Sequence, residues 1–501
     1  MKYDAVIIGA GMAGLTCALK LSSKRKKVLV LEKQPVPGGF ATGFKRKGFN
    51  FESAVHCVDG LGKGQEIRDF LEVEGVAPGL EFIELKDFAR HIYPQHDFVS
   101  EASRDSFLNY LKRSFPQEEK KIDKIFAEFD SFYRQFDRFE DSVLPEWLNL
   151  SLTPLLYRDI IKMSCFNINQ IIGKHTRDDK LKTLITSIWG FLGLPPDRLS
   201  AFYFLIVFRG YYYYPNVYIK GGFSRLFEAM AAKIRENGSQ VLFNTAAQKI
   251  VTDGRKRVKA VITDKDERIE TGTVVSGADC FSTLAGLLDD DAVKVDYRKK
   301  MASFEKSISA FQVYLGLKVP ARTLGMDRFM FFISSTYDHG ASFNASLCGD
   351  YANSIISAVD HSQVDPALVP QGKGTLVIFT LDNYANWKNL DEQEYKEKKA
   401  RVSQILIKRV EKYLPSLTEN IEVVETATPM TMARYCSSSE GAIYGLAQTV
   451  QQASINRLSQ KTRIKGLFLA GAWTRPGGGV HGCFYSGSEA ADMVLKYLKC
   501  G

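Results

Sequence analysis

The first 32 residues contain the pattern that most restricts how this chain can fold. An apolar segment, residues 3–8, leads directly into a loop, residues 9–14, whose glycines have the spacing G-x-G-x-x-G. A stretch with helical composition follows, and then a second apolar segment, residues 28–31, which ends at the acidic residue Glu32. Strand, glycine loop, helix, strand and acid, in that order, are typical of the βαβ unit that binds a dinucleotide. The sequence therefore predicts a parallel sheet of Rossmann type.

The three glycines of this loop have separate physical roles. Gly9 lets the chain turn sharply out of the strand, Gly11 lets the backbone approach a pyrophosphate, and Gly14 lets the helix pack close to the sheet. The N-terminus of that helix offers free N–H groups and a positive dipole end to the phosphates. Glu32 can accept hydrogen bonds from ribose hydroxyls. The unit predicts a dinucleotide ligand, and by itself it does not distinguish NAD from FAD.

Two further glycine-rich stretches narrow this choice. Gly38 and Gly39 follow the acidic residue in the sequence PVPGGFAT. Near the C-terminus, an apolar strand-like segment ends at AGAWT and continues as RPGGGVHG, after which SGSEAA opens a final helix. These stretches resemble the second and the closing FAD motifs of flavoproteins in the amine oxidase and phytoene desaturase group. Three matches in the right order predict FAD as the cofactor.

Over nearly its whole length, the chain resembles the phytoene desaturase, carotenoid isomerase and retinol saturase group within the amine oxidase-like flavoproteins. Residues 49–60 are similar to the family stretch F-D-x-G-x-H-x-x-x-G, and residues 427–445 are similar to T-P-x-T-x-x-x-Y followed by G-x-x-Y-G. The resemblance implies non-covalent FAD, hydride transfer to or from carbon, and an apolar polyene or isoprenoid substrate. It leaves desaturation, saturation and cis–trans isomerisation open, with NAD(P)H as a candidate electron source. One departure is Ala472, where many flavoproteins have an acid that binds the ribityl chain.

The resemblance also implies which residues form the site. It assigns cofactor contacts to the following positions: Gly9, Gly11, Met12, Ala13, Gly14, Glu32, Lys33, Gly38, Gly39, Thr42, Ala247, Gly471, Trp473, Gly479 and Val480. His56 and His481 lie in segments that border the flavin ring in this family, so they are the predicted catalytic residues. A histidine at either position can also be a packed core residue. If one of them donates a proton to a carbon chain, we expect His481 to have the larger effect.

The length of 501 residues exceeds what one core normally holds, so we expect two domains. We predict an α/β fold with a discontinuous, Rossmann-like FAD-binding domain of glutathione-reductase type, residues 1–90, 215–294 and 425–501. An α+β substrate domain is inserted as residues 91–214 and 295–424. Its first part is helical and rich in aromatic residues, and its second part has strand-like composition.

Composition excludes several other classes of protein. The net charge of +9 is spread along the chain, which does not favour a nucleic-acid partner, and the cysteines have no metal-ligand spacing.

There is no signal peptide pattern and no apolar run of membrane-spanning length, so we expect a cytoplasmic protein. Residues 201–208 are apolar nearly all round, which fits either core burial or membrane contact. We predict peripheral membrane attachment through residues 202–214, while the oligomeric state is left open.

Two other functions are compatible with these motifs. An amine oxidase or protoporphyrinogen oxidase would use the same FAD unit, with an aromatic cage for an amine beside the flavin. A Rab GDP-dissociation inhibitor resembles this fold without a working flavin site, although intact motifs at both ends of the chain argue against that function. No Ser/His/Asp triad, metal site or carboxylate pair suggests a different chemistry.

Overall fold

The computed structural model describes residues 2–142, 155–289, 299 and 301–500. A five-stranded, fully parallel sheet lies at the base of the predicted cofactor site. Its strands lie in the spatial order Leu467–Leu469, Val274–Ser276, Ala5–Ile8, Val28–Leu31 and Gln240–Leu242. The sheet is therefore assembled from the N-terminal, middle and C-terminal parts of the chain.

Elements pack on both faces of this sheet, which explains why the strands Ala5–Ile8, Val28–Leu31 and Leu467–Leu469 are apolar at every position. Ala5 and Ile7 face a core that includes the helices Met12–Ser23, Phe223–Glu236 and Gly479–Cys500. The alternating residues Val6 and Ile8 face the opposite side, where a three-stranded antiparallel sheet packs. That sheet consists of Ala247–Thr252, Val258–Thr263 and Arg268–Glu270. The predicted βαβ unit is present, with its strand, loop, helix and strand in the expected positions.

A second, seven-stranded sheet forms the floor of the remaining region. Its strands lie in the order Ile421–Ala427, Ser309–Leu317, Gly374–Asp382, Ile356–Val359, Met330–Ile333, Asp87–Ile92 and Asp97–Glu101. All neighbours are antiparallel except Met330–Ile333 and Asp87–Ile92, which run parallel. The helix Glu392–Glu411 covers one face through Val402, Leu406 and Val410. Four of these strands lie in residues 295–424, where strand-like composition was predicted. Asp97–Glu101 lies in the part that was predicted to be helical, and Asp87–Ile92 was not predicted as a strand.

A helical layer rich in aromatic side chains packs beside this sheet. Its helices are Arg104–Ser114, Glu119–Glu140, Arg158–Cys165, Ile168–Gly173, Asp179–Ile185 and Ala201–Tyr212. In the helix Ala201–Tyr212, Phe208 packs against Phe126 and Phe129, and Tyr212 stacks on Phe107 with ring centroids 4.4 Å apart. No residue of this helix is classed as exposed, whereas Tyr214 just beyond it is 38% exposed. The structure therefore supports core burial for most of the segment that we considered for membrane contact.

The other regular elements connect these layers. They are the helices Glu66–Val73, His339–Cys348 and Pro429–Cys436, the strand pair Gly43–Arg46 and Phe49–Glu52, and the strand pair Phe82–Leu85 and Asn216–Ile219. Within the described residues, no helix has both the length and the apolar character needed to cross a bilayer.

The strands also show where the predicted domain boundaries fall. The boundary between residues 90 and 91 lies inside the strand Asp87–Ile92, and the boundary between 424 and 425 lies inside Ile421–Ala427. The boundary between residues 294 and 295 lies outside the described residues.

Candidate cofactor and active site

Three glycine motifs that are far apart in the sequence meet at the start of the first helix. The Gly38 N–H donates a hydrogen bond to the Ala10 carbonyl oxygen over 2.9 Å. A Cβ placed on Gly39 would lie 3.5 Å from Gly11 Cα, and one placed on Gly471 would lie 3.6 Å from Ala13 Cβ. The Gly471 N–H is held by the Ser486 hydroxyl oxygen at 2.9 Å. The glycine loop, the Gly38-Gly39 pair and the closing motif thus surround one point of the sheet edge.

The space around this point fits the pyrophosphate end of FAD. A Cβ placed on Gly11 would have no protein atom within 4 Å, so the residue faces open space. No side chain caps the helix that begins at Met12, and its first turn has no acidic residue. Its N-terminal N–H groups, including those of Ala13, are therefore available to an anionic group. The same openness recurs at Gly479, which has φ of +83° and begins the C-terminal helix.

Gly14 differs from Gly11 because it is enclosed. A Cβ at Gly14 would lie 2.0 Å from the carbonyl oxygen of Gly9, which leaves no room for any side chain. Gly9 itself has φ of +96°, a left-handed conformation that favours glycine. The first and third glycines are thus required by the fold of the loop, whereas the second leaves space for a ligand.

The acidic residue at the end of the second strand is buried and holds the loop. The Glu32 carboxylate accepts hydrogen bonds from the N–H groups of Ala10 at 2.7 Å and Gln34 at 2.8 Å. Its neighbour Lys33 points towards the helix Pro429–Cys436, where it donates to the Arg434 carbonyl at 3.0 Å and to the Ser437 hydroxyl. Burial lowers the pKa of Lys33. Contacts from Glu32 and Lys33 to a bound cofactor remain predictions.

Four other predicted contacts lie around the same region. The Thr42 carbonyl accepts a hydrogen bond from the Ser53 N–H at 3.0 Å, which ties the Gly-Gly stretch to the following strand pair. Ala247 and Trp473 belong to one apolar cluster on the antiparallel side of the parallel sheet. Val480 packs, partly buried, against the cluster on the opposite side. These residues therefore border both faces of the sheet near its glycine-lined edge.

His481 lies in the first turn of the C-terminal helix and makes an ion pair that the sequence did not predict. Its Nδ1 is 2.8 Å from Asp59 Oδ2, and its ring stacks on Tyr485 with centroids 5.2 Å apart. Nε2 makes no hydrogen bond within the described residues, and the Glu66 carboxylate lies 3.8 Å from it. Burial opposes protonation, but the charge and hydrogen bond of Asp59 outweigh it and raise the pKa of His481.

Asp59 is positioned by tight packing against a glycine. A Cβ on Gly210, in the interior of the helix Ala201–Tyr212, would lie 2.3 Å from Asp59 Oδ2. Glycine weakens a helix interior, so its presence there has a packing reason. The sequence signal for Asp59 was its place three residues after His56 in a stretch already linked to the flavin. The segment 49–60 and the closing motif thus meet through Asp59 and His481.

His56 has a different environment from His481. It is 6% exposed, and its Nδ1 lies 3.4 Å from Nε2 of His361, which follows the strand Ile356–Val359 of the seven-stranded sheet. Burial lowers the pKa of His56 to about 4 and lowers that of His361 well below its usual value, so both rings are neutral near pH 7. His361 belongs to no sequence motif described above. This environment matches the core-residue interpretation of His56.

The buried histidine pair predicts an acid-sensitive fold. A His whose folded pKa is depressed favours the unfolded state as pH falls below its unfolded pKa of about 6.5, and the loss is complete below the folded pKa. For His56 this loss is of order 3 kcal/mol between pH 6.5 and 4. We expect the thermal midpoint of His56→Gln to depend less on pH over this interval than that of the unaltered protein. Parallel pH curves for the two proteins, measured by differential scanning calorimetry, would contradict the prediction.

Glu52, a second acidic side chain from the segment 49–60, lies buried at the start of the helix Phe223–Glu236. Glu52 accepts hydrogen bonds from the Tyr218 hydroxyl and the Phe223 N–H, each at 3.0 Å. Gly222 has φ of +94°, and a Cβ there would lie 2.5 Å from Glu52 Oε1. The carboxyl group therefore caps the helix Phe223–Glu236, and burial raises its pKa to about 7.

Tyrosines line the side of the closing motif that faces the helical layer. The Tyr203 hydroxyl donates to the Gly478 carbonyl at 3.1 Å, and a Cβ on Gly478 would lie 2.9 Å from Tyr444 Cα. Burial raises the pKa of Tyr203 to about 12, so its hydroxyl stays neutral. Tyr211 lies near Tyr203 and Tyr444, and its ring is tilted against that of Phe191. A wall of neutral aromatic side chains suits an apolar ligand that is held by burial.

Comparison with known proteins agrees with this arrangement. Residues 12–495 match the family model for flavin containing amine oxidoreductases. The chain is 25% identical to a prolycopene isomerase of *Daucus carota*, over 99% of this chain and 80% of the relative. It is also 25% identical to an all-trans-retinol 13,14-reductase of *Danio rerio*, over 93% of this chain and 82% of the relative. Among solved structures, an oxidoreductase from *Methanosarcina mazei* superposes with a TM-score of 0.65 at 16% identity, covering 98% of this chain and all of that one.

Proposed function

The chain belongs to the family of flavin-containing amine oxidoreductases, and on that premise we propose that it is an FAD-dependent oxidoreductase acting on C=C bonds. The proposed substrate is an apolar polyene or isoprenoid, such as a carotenoid or retinoid. The observation that carries the proposal is the meeting of three glycine motifs around Ala10–Ala13, beside a wall of neutral tyrosines. The names of the relatives support carbon–carbon double bonds, rather than amines, as the group acted upon.

In this proposal, different residues bind the cofactor, exclude water and transfer a proton. Gly11 and the first turn of the N-terminal helix hold the pyrophosphate, and Gly479 and Val480 lie against the flavin. Bound FAD supplies the hydride chemistry, which the fold itself lacks. Tyr203 and Tyr444 exclude water from the reacting carbon chain. His481, oriented at Nδ1 by Asp59, holds a proton at Nε2 that it can give to carbon.

Several finer statements belong to the same proposal. The discontinuous FAD domain of glutathione-reductase type is supported by the order of the parallel sheet, and the inserted substrate domain is supported by the seven-stranded sheet with its helical layer. NAD(P)H is the proposed electron source for a saturation reaction. Contact with a bilayer would supply an apolar substrate, and flotation with neutral and anionic liposomes tests that contact.

Anaerobic mixing of the flavin-loaded protein with a polyene tests the proposed function. Oxidised flavin is the electron acceptor in the desaturation test with phytoene, and flavin reduced beforehand with dithionite is the electron donor in the saturation tests with retinol and a poly-cis carotene. In each test we expect the absorbance of flavin and polyene to change together, because electrons that leave one must enter the other. Isomerisation would instead change the polyene spectrum with the flavin returning to its starting state. Putrescine and a benzylic amine serve as control substrates. Reduction of the flavin by an amine, with no response to any polyene, would favour an amine oxidase and overturn the proposal.

A further inference from the structure

A buried arginine lies beneath the closing motif and was not part of any sequence motif. Arg457 is 3% exposed, and its guanidinium donates to backbone carbonyls on both sides of Trp473. Nε donates to the Thr474 carbonyl at 2.9 Å, and Nη2 donates to the Ala472 carbonyl. Ala472 is the position at which many flavoproteins have an acid. Arg457 therefore holds the backbone of the closing motif at the residues on either side of Trp473.

The same guanidinium reaches the segment that packs against the glycines of the closing loop. Nη2 also donates to the carbonyls of Leu446 at 2.9 Å and Tyr444 at 3.3 Å. Tyr444 is in contact with Gly478, because a Cβ on that glycine would lie 2.9 Å from both Tyr444 Cα and its carbonyl oxygen. The Arg457 side chain thus links two segments around the predicted flavin position, residues 472–474 of the closing motif and residues 444–446.

The charge of Arg457 has no carboxylate counterpart in the described part of the chain. None of the salt bridges between described residues includes it, and Nη1 is buried without a hydrogen-bond partner. The ionisable groups that act on it are Tyr203, Cys280 and Cys483, which are neutral near pH 7 because burial raises their pKa values. Burial lowers the pKa of Arg457 itself to about 10, which still leaves it protonated.

A buried cation is costly unless an anion or several hydrogen bonds compensate it. Four carbonyl oxygens provide part of this compensation, and one guanidinium nitrogen remains unused. A flavin gains two electrons and one proton on reduction near neutral pH, so it acquires one negative charge. We propose that Arg457 is the buried cation that favours this reduced, anionic flavin, an inference that rests on the proposed function above.

The midpoint potential of the bound flavin tests this role, because a purely structural arginine would not move it. Dithionite, which is itself oxidised to sulfite, supplies the two electrons. In Arg457→Gln the charge is lost, and we expect the ratio of reduced to oxidised flavin at a fixed potential to fall about tenfold or more. Arg457→Lys keeps the charge and should stay close to the unaltered protein. Arg268→Gln, which removes an exposed arginine paired with Glu270, is the control and should not change the potential.

The outcomes separate this inference from the proposed function. If the unaltered protein does not take up FAD, the proposed function fails. If FAD binds and the Gln and Lys variants have the potential of the unaltered protein, the inference is overturned and Arg457 only supports the loop. If Arg457→Gln does not fold, the midpoint potential of the flavin in the unaltered holoprotein tests the inference. Its potential should lie above that of free FAD, and a value at or below free FAD would overturn the inference.

Discussion

Replacing Gly11 with valine is expected to give a folded protein that no longer retains FAD. The side chain would enter the open space in front of the first helix, where no protein atom lies within 4 Å of a Cβ. It would therefore cause no clash within the protein, but it would occupy the volume that the pyrophosphate needs. We expect FAD affinity to fall at least about hundredfold, which corresponds to about 2.7 kcal/mol. Flavin absorbance after desalting, together with circular dichroism, measures both parts of the prediction.

Two other glycines provide the comparison. Gly14→Ala should reduce stability as well as cofactor binding, because its Cβ would overlap the Gly9 carbonyl oxygen at 2.0 Å. Gly254→Ala is the matched control, since a Cβ there also meets no atom within 4 Å, in a turn between strands of the antiparallel sheet. Full flavin content in Gly11→Val would exclude the proposed pyrophosphate position.

Exchange of His481 for glutamine is expected to leave FAD bound while turnover falls about hundredfold or more, as for loss of a general acid. The side chain is held at Nδ1 by Asp59, and Nε2 is left without a hydrogen bond. His175→Gln is the control, because that histidine pairs with Glu128 in the helical layer, with Nε2 and the carboxylate 2.6 Å apart. His56→Gln should have a smaller effect, because burial keeps His56 neutral near pH 7, so it lacks the acidic imidazolium proton that a general acid donates. Unchanged turnover in flavin-loaded His481→Gln would remove this residue from the mechanism.

The pH dependence of turnover provides an independent test of the same pair. A general acid is active in its protonated form, so the rate should fall as pH rises through the pKa of His481, which Asp59 raises above its usual value. Asp59→Asn removes that charge and should move this limb to lower pH. The ion pair also stabilises the fold fully below the unfolded pKa of about 6.5, and this contribution is lost as pH rises through the higher folded pKa. A pH limb that stays in place in Asp59→Asn would contradict the assignment.

Local sequence patterns were sufficient for the elements that depend on neighbouring residues. The strand, loop, helix and strand at residues 5–31 follow from apolar runs and glycine spacing, and the structure places each where it was predicted. The helical character predicted for the first part of the substrate domain also has a local basis, since the buried residues of the helix Glu119–Glu140 recur every three or four positions. The apolar segment at residues 201–208 lies in one of these helices. Its apolar character could not distinguish core from membrane, because both environments favour the same side chains.

Pairings between distant residues could not be read from the sequence. Asp87–Ile92 pairs both with the nearby strand Asp97–Glu101 and with Met330–Ile333, more than 200 positions away, and its own composition gives a weak strand signal. The contacts of Asp59 with His481 and of His56 with His361 likewise join residues 422 and 305 positions apart. Arg457 belongs to no recognised motif, and only the folded chain brings its guanidinium group to four carbonyl oxygens.

The sequence by itself determined the cofactor-binding unit, because backbone turns, helix starts and close packing depend on residue types a few positions apart. It also identified the two histidines, but not the difference between them. Only the tertiary structure decided that one histidine lies beside a carboxylate and the other beside a second buried histidine. The reason is electrostatic: the pKa of a side chain depends on burial and on the charges within a few ångströms, which the folded path of the chain brings together.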